Sequence, residues 1–215
     1  PGQEAATVGE GASTDGPMSA AAASQRSALH RALRTPAFYL LCGAFMANAL
    51  SFSAMSVHLL PMLVDKGLTP LQAAGIGALA GPMQVLGRVA EMTLARRYKA
   101  LHVGFIAMAM LPLSLLLFAG LGSEIAPYWA FALLYGAGNG ITTIVRGAIP
   151  AEIFGRTSYG AINGAMAAPV MLAKAGGPLV AAALWVTLGG YADIALILAA
   201  VAAVSVGLIG LLLAR

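Results

Sequence analysis

The chain has very little charge. Only 9% of its 215 residues are charged, whereas 60% are hydrophobic. A soluble globular domain carries roughly 25% charged residues, most of them on its surface. This chain has too few charges to coat a surface that faces water, so the composition excludes an ordinary soluble protein and predicts an integral membrane protein in a lipid bilayer.

Cysteine and several chemical motifs are scarce or missing as well. The single cysteine, Cys42, excludes an intrachain disulfide and a cysteine-based metal cluster. The basic residues form no long run, so no nucleic-acid partner is predicted. The sequence contains no Walker, HExxH or Gly-x-Ser-x-Gly motif and no pair of carboxylates within one apolar run. We therefore expect neither an enzyme nor a bound cofactor or metal.

Six apolar runs follow residue 35, and each is close to the roughly 20 residues that a membrane-spanning helix needs. Residues 1–34 are rich in Gly, Ala and Ser and are predicted to form a disordered linker. Because the chain begins with Pro1 rather than Met, we expect a fragment or a processed chain. The six-helix domain is predicted over residues 35–215, with spans at 38–60, 71–92, 101–121, 128–145, 161–188 and 194–213.

The basic residues predict the orientation of the spans. The termini and every second connection carry almost all of the flanking bases, whereas the connections on the opposite side carry only Lys66. Cytoplasmic segments of membrane proteins are enriched in Lys and Arg, so both termini are predicted to be cytoplasmic in a multi-pass protein of a bacterial inner membrane. The bases on that side are Arg26, Arg31, Arg34, Arg96, Arg97, Lys99, Arg146, Arg156 and Arg215.

Polar residues divide the six runs into two kinds. The third and sixth runs contain almost none, whereas the other four carry them at depth. Polar side chains at membrane depth face a bundle interior or a wet cavity, because exposure to lipid is costly. The pattern repeats after three helices, as in a 3+3 inverted repeat. The residues predicted to line a substrate cavity are Asn48, Ser51, Gln84, Asn139, Thr142, Asn163 and Lys174.

Lys174 is the most informative of these residues because it lies near the middle of the fifth run. Each end of the predicted helix is roughly 20 Å away, too far for the side chain to reach the interface. No carboxylate occupies the centre of another run. Two interpretations stay open: a structural lysine that is neutral or solvated by water, and a group that binds an anionic substrate.

Three further titratable residues have a structural and a functional interpretation. Arg88 and Glu91 are three residues apart and can share a helix face, either as an ion pair at the membrane interface or as part of a cytoplasmic gate. His58 lies near the outer end of the first run, either as a hydrogen-bonded polar residue or as a proton relay.

Three segments resemble sequences of the major facilitator superfamily (MFS). Gly87-Arg88 followed by residues 94–97 is similar to the second-half copy of the cytoplasmic loop motif of that family. Residues 146–156 and 159–164 are similar to its loop between the tenth and eleventh helices and to the glycine-rich start of the eleventh. The resemblance covers residues 35–215 and implies an all-α fold that is the C-terminal six-helix half of such a transporter.

The resemblance also implies a function. The chain would belong to a secondary transporter that moves a small solute by alternating access, with an organic anion suggested by Lys174. Arg97, Glu152 and Arg156 would join Arg88 and Glu91 at the cytoplasmic gate. The partner would be the missing N-terminal six-helix half or a second copy. The alternative is a membrane receptor or assembly subunit on the same scaffold that transports nothing.

Overall fold

The computed structural model describes residues 17–94, 96–156 and 159–215, and every regular element in these ranges is an α-helix. Apart from the first helix, they correspond in order to the six predicted runs. The helices are α1 (Pro17–Leu33), α2 (Pro36–Asp65), α3 (Pro70–Leu94), α4 (Ala100–Gly120), α5 (Ala126–Phe154), α6 (Tyr159–Leu188) and α7 (Ile194–Leu213).

Helix α1 lies where the sequence analysis predicted a disordered linker, so that prediction is wrong for Pro17–Leu33. Alanine has the highest intrinsic helix propensity, and this segment is rich in it. Ala32 is buried beside the N-terminal ends of α2 and α6, and its carbonyl accepts a hydrogen bond from Thr35 Oγ1 at 2.7 Å. Residues 1–16 lie outside the described part of the chain.

Four helices are long and apolar enough to cross a membrane: α2, α4, α6 and α7. Together they indicate a membrane protein with an all-helical fold. Helix α5 extends further than predicted, because it continues through Pro150 to Phe154 where the sequence analysis placed a cytoplasmic loop after residue 145. A proline inside a helix removes one hydrogen bond, which membrane helices tolerate when neighbouring groups compensate.

The extensive contacts arrange the helices in the order α6, α2, α7, α4, α5 and α3. Helix α2 packs extensively on α6 and α7, α5 packs extensively on α3 and α4, and α4 packs on α7. By contrast, α2 touches α3 and α5 touches α6 over small areas only. The bundle therefore has two walls, α2 with α6 and α3 with α5, which are joined mainly through α4 and α7.

Glycines allow the helices within each wall to approach closely. A Cβ atom on Gly140 of α5 would overlap the carbonyl oxygen of Gln84 in α3, and one on Gly177 of α6 would lie 2.5 Å from the carbonyl oxygen of Leu50 in α2. Small residues at such contacts let backbones meet, which drives helix association in membranes. Each wall is therefore a tightly packed pair.

Two hydrophobic clusters fill the bundle, one toward each end. The first contains aromatic rings in succession, from Tyr128 through Phe118 and Phe131 to Tyr135, which stacks on Phe52 at 4.6 Å between ring centroids. The second surrounds Phe38, Phe45 and Ile149 near α1.

Lys66 links the connection after α2 to the connection after α4, beyond the first cluster. Its Nζ donates hydrogen bonds to the carbonyl oxygens of Ala119 at 3.0 Å and Leu121 at 2.7 Å, at the C-terminus of α4. Burial lowers the pKa of Lys66, and the neighbouring Asp65 carboxylate opposes this shift. A cation at a helix C-terminus is favourable, so Lys66 anchors the end of α2 to the end of α4.

Candidate functional site

A cavity of about 320 Å³ opens between the two walls, beside the part of α2 that runs from Phe45 to Phe52. Its lining comes from α2, α3, α5 and α6, while α4 and α7 contribute no residue to it. These are the four helices in which the sequence analysis found polar residues at depth. The polar side chains that line the cavity are Asn48, Gln84, Arg88, Asn139, Thr142, Thr143, Arg146 and Lys174.

Five of the seven residues predicted to line a cavity do line this one, and Ser51 and Asn163 do not. Ser51 is fully buried in α2, and its hydroxyl has no hydrogen-bond partner among the described residues. Asn163 lies near the start of α6, where its Nδ2 donates to Tyr159 Oη at 3.4 Å. Both residues were assigned by their place within an apolar run, without knowledge of which helix face meets the cavity.

Two amides form a bridge inside one wall of the cavity. Asn139 Nδ2 of α5 donates to Gln84 Oε1 of α3 at 3.0 Å. Thr142 and Thr143 donate their hydroxyl protons to carbonyl oxygens one turn earlier in α5, each at 2.8 Å. The bridge leaves the Gln84 nitrogen and the Asn139 oxygen with no partner in the described residues, so both can contact a solute.

Three cationic side chains line the cavity: Arg88, Arg146 and Lys174. None of the described residues that line it is acidic, and none of these cations has an ion pair in the described part of the chain. Unpaired cations gathered in one cavity create a strongly positive local potential. The arrangement can bind an anion by charge-assisted hydrogen bonds, with amides available at its neutral part.

The sequence analysis missed Arg146, which it assigned to a cytoplasmic loop. The signal was present in the spacing of Asn139, Thr142, Thr143 and Arg146, which continues one helical face beyond the apolar run. The structure confirms that α5 continues as a helix through this position. The apolar run ended before the helix did.

A proline follows two of the cations by one helical turn. Pro150 lies four residues after Arg146 in α5, and Pro178 lies four residues after Lys174 in α6. Because proline has no N–H, the carbonyl groups of Arg146 and Lys174 lack their usual intrahelical donors. Each cation is therefore next to a weak point of its helix.

Of the two interpretations of Arg88 and Glu91, the ion pair is not formed in the structure. Arg88 lines the cation-rich cavity, whereas Glu91 is 5% exposed and lines a second cavity of about 360 Å³ near the C-terminal ends of α3 and α5. One turn of α3 separates the two residues, and their side chains enter different cavities.

The second cavity collects part of the predicted gate. Glu91, Glu152 and Arg156 line it together with Tyr98 and Lys99. Glu152 Oε2 accepts a hydrogen bond of 2.7 Å from the backbone nitrogen of Ala100, so it caps the N-terminus of α4. Arg97 is exposed and does not line this cavity.

His58 lies at the other end of the bundle, outside both cavities. Its Nδ1 is 3.0 Å from Tyr191 Oη, and its Nε2 is 3.2 Å from the carbonyl oxygen of Pro178. One neutral tautomer satisfies both contacts, with Nε2–H donating and Nδ1 accepting. The residue thereby links α2 to α6 and to the connection that follows it; its predicted role as a proton relay stays a prediction.

Within the described residues, no group of three or more His, Cys, Asp or Glu side chains is arranged to hold a metal ion. Comparison with family models finds no family that matches the chain. A comparison with curated proteins finds no significant match either. The functional argument therefore depends on the cavities themselves.

Proposed function

We propose that the chain is a six-helix transmembrane domain of a secondary transporter that moves a small organic anion by alternating access. The observation that carries this proposal is the cavity lined by Arg88, Arg146 and Lys174 and by no acidic residue among those described. Its volume of about 320 Å³ lies at the lower end of typical small-ligand sites. A small carboxylate is the class of solute that best matches this combination of charge and size.

The proposal includes α3 and α5 as membrane spans beside the four more apolar helices. With 25 and 29 residues, both exceed the roughly 20 residues that cross a bilayer. Their lower hydropathy comes partly from residues such as Gln84, Arg88 and Asn139, which line the cavity and need not face lipid. With six spans, the basic connections favour cytoplasmic termini and an inner-membrane location.

The packing order supports a 3+3 repeat as the fold of this domain. Exchanging α2, α3 and α4 with α5, α6 and α7 turns the α2–α6 contact into the α5–α3 contact and the α2–α7 contact into the α5–α4 contact. All four are extensive contacts, and the two thin contacts exchange in the same way. An inverted repeat of this kind, with a site between its halves, is the architecture of MFS transporters.

A covering partner is part of the proposal. Arg88 and Lys174 are exposed along the open side of the cavity, and apolar residues such as Leu172 and Leu179 are exposed on the same helix as Lys174. A cation that faces lipid within the membrane is costly, so a protein surface should cover these residues. We propose that this surface is an N-terminal six-helix half or a second copy of the chain.

Thermal unfolding of the purified protein in detergent tests the proposal. Acetate, lactate, malonate and succinate should raise the unfolding temperature, whereas their neutral amides should not. The stabilisation should disappear in Lys174→Met, which keeps the side-chain length and removes the charge. Equal stabilisation by acids and amides would contradict an anion site.

A flux assay in proteoliposomes then separates a transporter from a receptor. A carboxylate that stabilises the protein should also cross the membrane in exchange for the same unlabelled carboxylate. Binding without any flux would favour the alternative of a receptor or assembly subunit on this scaffold.

A further inference from the structure

The amide of Asn48 has no partner in the wall of the first cavity, the one lined by Arg88, Arg146 and Lys174. Asn48 is 6% exposed, and its side chain makes no hydrogen bond with a described residue. An amide offers an acceptor oxygen and two N–H donors. Because a buried polar group that stays unpaired is costly, these atoms need partners inside the cavity, from water or from the solute.

The bridge between Gln84 and Asn139 presents the same two kinds of group from the opposite wall. Asn139 Nδ2 donates to Gln84 Oε1 at 3.0 Å, which leaves the Gln84 nitrogen and the Asn139 oxygen without a partner among the described residues. Exchanging donor and acceptor in this bond would again leave one amide nitrogen and one amide oxygen free. A solute between the walls therefore meets amide donors and amide oxygens on both sides.

These groups restrict what the neutral part of the solute can carry. A hydrogen atom would leave amide groups of both kinds unpaired, and a keto oxygen would leave the amide oxygens unpaired. An ammonium group would pair with the oxygens, but the three cations Arg88, Arg146 and Lys174 would repel it. A hydroxyl group donates and accepts, so it can pair with both kinds of amide group without adding charge.

The partners for a carboxylate and for a hydroxyl group lie along the same helix faces. Gln84 and Arg88 are four residues apart on α3, which places their Cβ atoms about 5–6 Å from each other. On α5, Asn139 and Arg146 are seven residues apart, or about two turns. A 2-hydroxy acid carries its two polar groups on neighbouring carbon atoms, so one molecule can contact a cation and an amide together.

We propose that the solute is a small 2-hydroxy carboxylate and that Asn48, with the Gln84–Asn139 bridge, selects it by its hydroxyl group. This inference rests on the function proposed above, because it names the class of organic anion that the first cavity binds. The three cations hold the carboxylate. The amides distinguish the hydroxy acid from acids of the same charge and nearly the same size.

Matched acids measure the contribution of the hydroxyl group. Lactate, propionate, pyruvate and alanine differ only in the substituent on their second carbon atom, and malate differs from succinate by one hydroxyl group. Titrations that follow the unfolding temperature of the purified protein in detergent give each affinity. Lactate should bind about tenfold more tightly than propionate or pyruvate, as expected when a buried polar group is left unpaired. Malate should exceed succinate by a similar factor, and alanine should bind most weakly.

Substitution of Asn48 tests the residue itself. In Asn48→Leu, lactate should lose most of its advantage over propionate, while propionate still binds. Asn48→Ala, with a smaller side chain, provides the same test where leucine does not fit. Asn163→Leu removes a partly buried amide of α6 that does not line the cavity, so it should keep the lactate-to-propionate ratio. A purely structural role of Asn48 would weaken both acids together and leave that ratio unchanged.

The opposite wall is tested by removing the whole bridge. The double variant Gln84→Met with Asn139→Leu replaces both partners by apolar side chains, which leaves no half of the bridge unpaired. The lactate-to-propionate ratio should fall in this variant as well. An unchanged ratio in this variant and in both Asn48 variants would overturn the proposed selection.

The acid series separates failure of this inference from failure of the anion site. Equal affinities for lactate and propionate and for malate and succinate, or for lactate and pyruvate, would overturn selection by the hydroxyl group and leave the anion site intact. Stabilisation by none of these acids, nor by acetate or malonate, would overturn both the anion site and this inference.

Discussion

The two cavities contain opposite kinds of charge balance. The first cavity gathers Arg88, Arg146 and Lys174 without any described acidic neighbour, so it has an excess of positive charge. The second contains Glu91 and Glu152 beside Lys99 and Arg156, so its charges can compensate one another. The charge of the first cavity can be neutralised only by an anion from outside. The charges of the second cavity can be neutralised by pairing among its own side chains. Under the proposed function, solute binding belongs to the first cavity and conformational control to the second.

The largest expected effect is on stability, from a change in the contact between α3 and α5, the two helices that contribute to both cavities. In Gly140→Leu the new side chain would collide with the backbone of Gln84 and force α3 away from α5. We expect the variant to lose its cooperative thermal unfolding in detergent or to fail to accumulate in the membrane. Gly120→Leu, where a Cβ meets no atom within 4 Å, is the control. A Gly140→Leu protein of normal stability would show that the walls are not tightly packed pairs.

The next largest effect is on carboxylate affinity when one cation is removed from either cavity. Lys174→Met should weaken carboxylate binding by about 10–100-fold, the range expected for loss of a hydrogen bond to a charged group. Carboxylate-dependent shifts in unfolding temperature across a concentration series measure the change. Lys99→Met, which removes a cation from the second cavity, should change carboxylate affinity much less. Equal losses in both variants would remove the distinction between the two sites.

A carboxylate placed in each cavity sharpens the comparison. Asn48 is 6% exposed in the first cavity, and Asn48→Asp would supply an internal counter-ion for its cations. We expect carboxylate affinity in the same titration to fall by about tenfold, as for an opposite-charge interaction of roughly 1.4 kcal/mol. Ala151→Glu adds the same charge to the second cavity and should leave carboxylate affinity nearly unchanged.

The smallest effect concerns the cap of α4. Glu152→Ala removes the acceptor for the Ala100 nitrogen and should cost about 1 kcal/mol of stability. Glu152→Gln keeps an acceptor oxygen and should lose less. Thermal unfolding of the two variants measures the difference, and equal losses would mean that charge rather than the hydrogen bond stabilises this end of α4.

The sequence predicted the helical fold and part of the first cavity because polar residues are conspicuous in apolar runs. Asn48, Gln84, Asn139, Thr142 and Lys174 were found in this way, and all five line the cavity. Run length alone does not show which face of a helix points inward, so the prediction also included Ser51 and Asn163, which do not line this cavity.

Two other errors came from treating hydropathy as the limit of a helix. Arg146 was missed because α5 continues after its apolar run has ended. The helix α1 was missed because its alanines are weakly apolar, although they favour a helix. The separation of Arg88 from Glu91 could not be predicted, since spacing along a helix limits but does not decide which cavity each side chain enters.

The thin contacts between the walls would give a bound anion a mechanical role. Arg88 and Arg146 belong to the wall of α3 and α5, whereas Lys174 belongs to the wall of α2 and α6. An anion held by all three cations would act as a removable crosslink across a weak interface. Its binding should slow amide hydrogen exchange in α3 and α6 together, although these helices share no extensive contact. The solute would then be cargo and, while bound, a structural element of the bundle.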